Sequence, residues 1–97
     1  MKFEWDRRKA AANWRKHGLT FEMAIHAFSD PFGIEELDDV LDYEETRWKL
    51  IGLAKKDLLV VIYTERSPDG EVVRLISARL AHAHEKRRYS QLRSGFE

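Results

Sequence analysis

The stretch RWKLIGLAKKDLLVVIYTERSPDGEVVRLIS, residues 47–77, decides the fold. Within it Leu58–Thr64, LLVVIYT, is an almost unbroken apolar run, the pattern of a strand covered on both faces. Ser67-Pro68-Asp69-Gly70 is a strong type I turn, with proline at the second position to preset φ and glycine at the fourth. A returning strand is expected over Glu71–Ser77. Another is expected over Arg47–Ala54, joined to the apolar run through Lys55-Lys56-Asp57. Three strands linked by such short turns form an antiparallel meander. The meander needs a partner layer, because a sheet buries a face only against another element.

Towards the N-terminus, Lys2–Trp5 alternates polar and apolar residues, a short strand signal. Asp6 stands as an N-cap and Gly18 as the stop after His17, with Ala10, Ala11 and Trp14 at helical spacing between them. Thr20 opens a second helix with Phe21, Ala24, Ile25 and Phe28 on one face. Asp30-Pro31 closes it, since the residue before proline is pushed out of helical space. Phe32–Leu37 reads as a further strand, while the acid-rich run Glu35–Glu45 is compatible with more than one structure. Beyond the meander, Ser77 is expected to cap a final helix over Ala78–Leu92. The order is β-α-α-β-β-β-β-α. It describes an α+β fold whose antiparallel β-sheet is packed by two N-terminal helices and one C-terminal helix. Without repeats or linkers, residues 1–97 are expected to form one domain.

Composition narrows the function classes. Three Trp, five Phe and three Tyr supply a real core and exclude a disordered tail. The absence of cysteine excludes disulfides, a thiol nucleophile and cysteine-based zinc sites, and it fits a reducing compartment. No run approaches the ~20 apolar residues that span a bilayer. The opening MKFEWDRRKA lacks the apolar core of a secretion signal, so a cytoplasmic location without membrane contact is expected. The net charge is zero, but it is segregated. Residues 1–17 carry six Lys/Arg against two acids, residues 20–45 carry nine acids and no Lys/Arg, and residues 73–93 carry six Lys/Arg against Glu85 alone. Faces rather than totals bind phosphates, so a basic face remains open to a nucleic acid; ordinary solvated surfaces would look the same.

Phe3-Glu4-Trp5-Asp6, then Lys9, Asn13, Lys16-His17-Gly18, Phe21-Glu22 and Ala24, resemble the N-terminal signature of the BrnT family. The second half agrees through Arg47, Ile51-Gly52, Val60–Arg66, Arg74, Ile76–Arg79, Ala81, Glu85 and Tyr89, in the right order. The resemblance implies a type II toxin with a RelE-like fold, a ribonuclease that cuts RNA and stalls translation. It also implies a cognate antitoxin of the ribbon-helix-helix type, with operator DNA bound only through the toxin–antitoxin complex.

Metal-free RNA cleavage needs a base for the 2′-hydroxyl, positive charge for the phosphorane-like transition state and an acid for the leaving 5′-oxygen. Cations aimed at developing charge usually supply the largest share. Arg79 leads the candidates: in the first turn of the expected last helix, its planar fork would join free backbone N–H groups around one anion. A surface ion pair is the plain alternative. Arg66 follows the central strand beside Glu65, and Arg47 and Lys49 share one face of their strand by alternation. Arg74 and Arg88 extend the RNA-binding set. Glu85 and Tyr89, four apart on a helix, point the same way. Glu65, Glu85 or Tyr89 would handle protons, or else Tyr89 anchors the helix and Glu85 pairs with Arg88. His82 and His84, two apart on a helix, are not expected to face one site, and His17 is explained by a helix C-terminus. No cofactor or metal is expected, and no phosphate-cradling or zinc motif is present. The alternative of another class is a non-catalytic module that binds antitoxin or DNA.

Overall fold

The computed structural model describes residues 1–38 and 45–95. The elements are β1 (Lys2–Trp5), α1 (Arg7–His17), α2 (Phe21–Ala24) running into a 3-10 helix (Ile25–Ser29), β2 (Ile34–Leu37), β3 (Trp48–Ala54), β4 (Asp57–Glu65), β5 (Val72–Leu80) and α3 (Ala83–Ser94). The part of the acid-rich run at residues 39–44 lies outside the described residues.

The strands form one sheet in the order β1-β5-β4-β3-β2. β2 to β5 make the expected antiparallel meander. The expectation of a wholly antiparallel sheet is corrected by β1, which pairs parallel to β5 from Lys2↔Val72 to Trp5↔Leu75. No hairpin joins these strands, so turn geometry does not set their direction, and four alternating residues carry no direction of their own.

Local chemistry accounts for the first half. Asp6 caps α1 by accepting the Arg8 N–H, and Gly18 ends it in the left-handed region at φ 67°, where a side chain would be strained. Thr20 caps α2 through the Met23 N–H. The continuation is a 3-10 helix rather than a second α-helix. Phe21, Ala24 and Ala27 are therefore buried at a spacing of three, and Ala27 takes the core place expected of Ile25.

One face of the sheet buries Leu50, Ala54, Leu59, Val61, Tyr63, Val73, Leu75 and Ala78 beneath α1, α2 and the 3-10 helix. Gly52 lets the 3-10 helix approach, because a Cβ there would stand 2.7 Å from the Ala27 carbonyl oxygen. The opposite face packs Ile51 and Val60 against Tyr89 of α3 and Ala81 just before it.

The C-terminal helix corrects the sequence reading in a way that matters for function. It begins at Ala83, not Ala78, and Arg79 lies on β5 opposite Val60. A register shift explains the error. Tyr63 pairs with Leu75 but Ile62 with Ser77, so Ile76 is an extra residue in β5. Leu75 and Ala78 both reach the same core across that bulge. Their separation of three imitates helical spacing.

Candidate active site

Three strands bring polar residues onto the α3 face in one row across the sheet: Glu36 lies opposite Lys49, Lys49 opposite the apolar Ile62 of β4, and Ile62 opposite Ser77. Arg79 stands two residues on from Ser77 along β5, on the same face. The first turn of α3 lies over this row and inserts Glu85 into it.

Glu85 is the centre of the site and is 0% exposed. Arg79 donates from both terminal nitrogens to its two oxygens, each at 2.8 Å. Lys49 Nζ lies 3.1 Å from Oε2, and the backbone N–H of His82 donates to Oε1 at 2.7 Å, half of a capping box at the start of the helix. The Arg79 guanidinium holds the Glu85 carboxyl well below the usual carboxylate range, against the opposing effect of burial. Reciprocally, bonding to Glu85 raises Arg79. A carboxylate so strongly held is a poor base, but it fixes two cations in place.

His82 and His84 complete the cluster, which corrects the expectation that they cannot share a site. His82 is the N-cap residue in extended backbone, so the pair is not two apart along a helix. His82 Nδ1 lies 3.9 Å from Glu85 Oε1 and His84 Nε2 3.9 Å from Oε2, with 6.0 Å between the ring centroids. Both side chains are 62% exposed. The sequence signal that would have found them is the Glu three residues after His82, once the helix is started at the right residue.

Two further contacts dock α3. Arg88 makes a bidentate pair with Glu36 at 3.0 and 2.8 Å, and that bonding holds Glu36 below its ordinary range. Arg88 therefore pairs with Glu36, not with Glu85. Tyr89 is 6% exposed and donates its hydroxyl to Asp30 Oδ2 at 2.6 Å. Burial followed by this bond pushes the Tyr89 phenol up to about 12, which makes it a weak proton donor. Asp30 also accepts the backbone N–H groups of Phe32 and Leu53, tying β3, the chain before β2 and α3 to one carboxylate. Burial pushes Asp30 up, but the bonds from Tyr89, Leu53 and Phe32 outweigh it and hold it low.

The remaining expected residues gather elsewhere. Arg74 pairs with Glu4 at 2.7 Å and Arg66 with the same carboxylate at 3.7 Å, on the β1 side of the sheet. Glu65 ends β4 and Arg47 precedes β3. The structure thus brings together Arg79, Lys49 and Glu85, with Arg88 joined to them through Glu36, 3.9 Å from Lys49. Tyr89 is held apart from them at Asp30, Arg66 and Arg74 share Glu4, and Glu65, opposite Val73, stands by alternation on the other face of the sheet from Arg74. Among the described residues, no cluster of three or more His, Asp and Glu side chains is arranged to hold a metal ion. No helix among them is long and apolar enough to cross a membrane.

Residues 5–85 match the family described as ribonuclease toxin, BrnT, of type II toxin-antitoxin system. The chain belongs to the BrnT family. The match ends at Glu85, so it takes in Lys49, Arg79 and both histidines. As a type II toxin-antitoxin family, BrnT implies an antitoxin partner for this chain. A comparison with curated protein sequences finds no significant match.

Proposed function

We propose that this chain is an endoribonuclease that cleaves RNA without a metal ion, inhibits translation and is neutralised by a cognate ribbon-helix-helix antitoxin. The observation that carries the reading is the convergence of Arg79, Lys49, His82 and His84 on one buried carboxylate, Glu85. The arrangement supplies what transesterification of RNA requires. Arg79 and Lys49, pre-set by Glu85, face the phosphorane-like transition state, where fixed charge costs no reorganisation. One neutral imidazole of the His82/His84 pair accepts the 2′-hydroxyl proton as the 2′-oxygen attacks phosphorus. The other, protonated, donates to the 5′-oxygen as the P–O bond breaks. Imidazole suits both steps because it changes charge near neutral pH.

In this reading Glu85 and Tyr89 position groups rather than exchange protons, and Arg88 holds the helix that carries the histidines. Arg47, Arg66 and Arg74 are secondary RNA contacts, and Glu65, at the end of β4, takes no part in the proton transfers. The whole chain acts as one cytoplasmic domain on a RelE-like scaffold, and operator DNA is bound only by the complex with antitoxin. Expression of the chain alone in a bacterium is expected to arrest growth, with co-expressed antitoxin restoring it. Normal growth with abundant folded protein would favour the rival reading, a non-catalytic interaction module.

A further inference from the structure

Ion pairing divides the cations of this protein into two kinds. Lys49, Arg74 and Arg79 on the sheet, Arg66 just after β4 and Arg88 on α3 each have a carboxylate partner. Among the described residues, no ion pair involves Lys9, Lys16 or His17 of α1. Cations without an ion pair among the described residues also stand on the β3–β4 turn and on α3, at Lys55, Lys56, Lys86 and Arg87, but Lys9, Lys16 and His17 are the ones that line a cleft together with Arg79.

These three residues share a place. β1 pairs with β5 only as far as Leu75, so Ile76–Leu80 forms an open edge beside α1. Asn13 bridges the gap: its amide donates to the Leu19 carbonyl at 3.1 Å and its oxygen accepts the Ala78 N–H at 2.9 Å. Around this bridge lies an open cleft of about 380 Å³ lined by Lys9, Asn13, Lys16, His17, Ser77 and Arg79, among others. None of its lining residues is acidic. Arg79 belongs both to this cleft and to the cluster around Glu85.

We propose that the α1–β5 cleft is the RNA-holding subsite: Lys9 and Lys16 each take a backbone phosphate of a single strand that runs on to Arg79. This rests on the ribonuclease reading and adds to it the path of the substrate. Lysine suits the task, since a compact ammonium on a flexible stem grips a phosphate without demanding one geometry. Such contacts position the strand and carry no sequence information.

The test is binding of a 2′-O-methyl RNA oligonucleotide, which offers the phosphates but no attacking hydroxyl, followed by fluorescence anisotropy across a salt series. Each single-strand phosphate contact contributes about 0.7 to the slope of log affinity against log salt, so Lys9→Ala/Lys16→Ala should lower the slope by ~1.4. On cleavable RNA the same variant should raise KM and leave kcat unchanged. Arg8→Ala/Arg15→Ala, an equal charge loss on exposed positions of α1 outside the cleft, should change the slope far less. Equal slope changes in the two variants, or none in the first, would overturn the cleft while leaving the ribonuclease reading intact. So would loss of antitoxin affinity with the RNA slope preserved. If the unaltered chain neither binds nor cleaves RNA, the ribonuclease reading itself fails.

Discussion

Arg79 and Glu85 sit on different elements, strand β5 and helix α3, and are joined by two parallel hydrogen bonds of 2.8 Å. This pair does two things at once. It lets a carboxylate be fully buried, and it fixes the guanidinium at the mouth of the α3 face, 28% exposed.

The pair gives Arg79 a structural role beside the one proposed for it in cleavage. Removing one partner of a buried pair leaves an uncompensated charge, at a cost of about 3–5 kcal/mol. Because Lys49 remains beside Glu85, Arg79→Ala should lie at the lower end of that range, measured by urea denaturation. Arg79→Lys should recover most of the stability but little of any cleavage, since it keeps charge and loses the fork. Unchanged stability in Arg79→Ala would show that Lys49 alone supports the carboxylate.

Acid should unfold the protein through the same contacts. Glu85, Glu36 and Asp30 are all held below their ordinary range, so the fold favours their charged forms. The stability they contribute is complete above the unfolded carboxylate values and is lost as pH falls through the lower folded ones. The urea midpoint should therefore hold from pH 7 to about 5 and drop steeply below about 4. Glu85→Gln should start lower and show a shallower acid limb. An acid limb as steep as that of the unaltered chain would remove Glu85 from the explanation.

Asp30 predicts a local failure. Asp30→Ala removes the acceptor of the Phe32 and Leu53 N–H groups and of the Tyr89 hydroxyl; these donors are part-buried, so each should cost about 1 kcal/mol, the low end for an unsatisfied group. Tyr89→Phe removes one bond and should cost about 1 kcal/mol. Hydrogen exchange should show α3 loosening in Asp30→Ala before the β3–β4–β5 ladder does. Loosening spread evenly over the chain would contradict the assignment of Asp30 as the hook for α3.

Much of this architecture can be read from the residues alone, and its failures have identifiable causes. The caps at Asp6, Gly18 and Thr20 and the turn at Ser67–Gly70 are local chemistry, and all stand where expected; the Gly70 N–H donates to the Ser67 carbonyl at 3.0 Å. What escapes is non-local. The extra residue Ile76 disguises the end of β5 as a helix start and moves Arg79 off its strand. That error in turn separates His82 from His84, because a helix begun at Ala78 would point them apart. The pairing of Arg88 with Glu36, 52 residues away, depends on sheet register that no sequence spacing encodes.

The most direct test of the account is the cleavage rate of a defined RNA by the purified, antitoxin-free chain in excess EDTA, compared with His82→Ala/His84→Ala. Both histidines are well exposed, so the double variant should keep the fold, which circular dichroism and the urea midpoint would verify. The unaltered chain should cleave, and the variant should lose a factor of about 10²–10⁴, the usual worth of positioned proton transfer. Cleavage at the original rate by the folded double variant, or no cleavage by the unaltered chain until a metal is added, would contradict it.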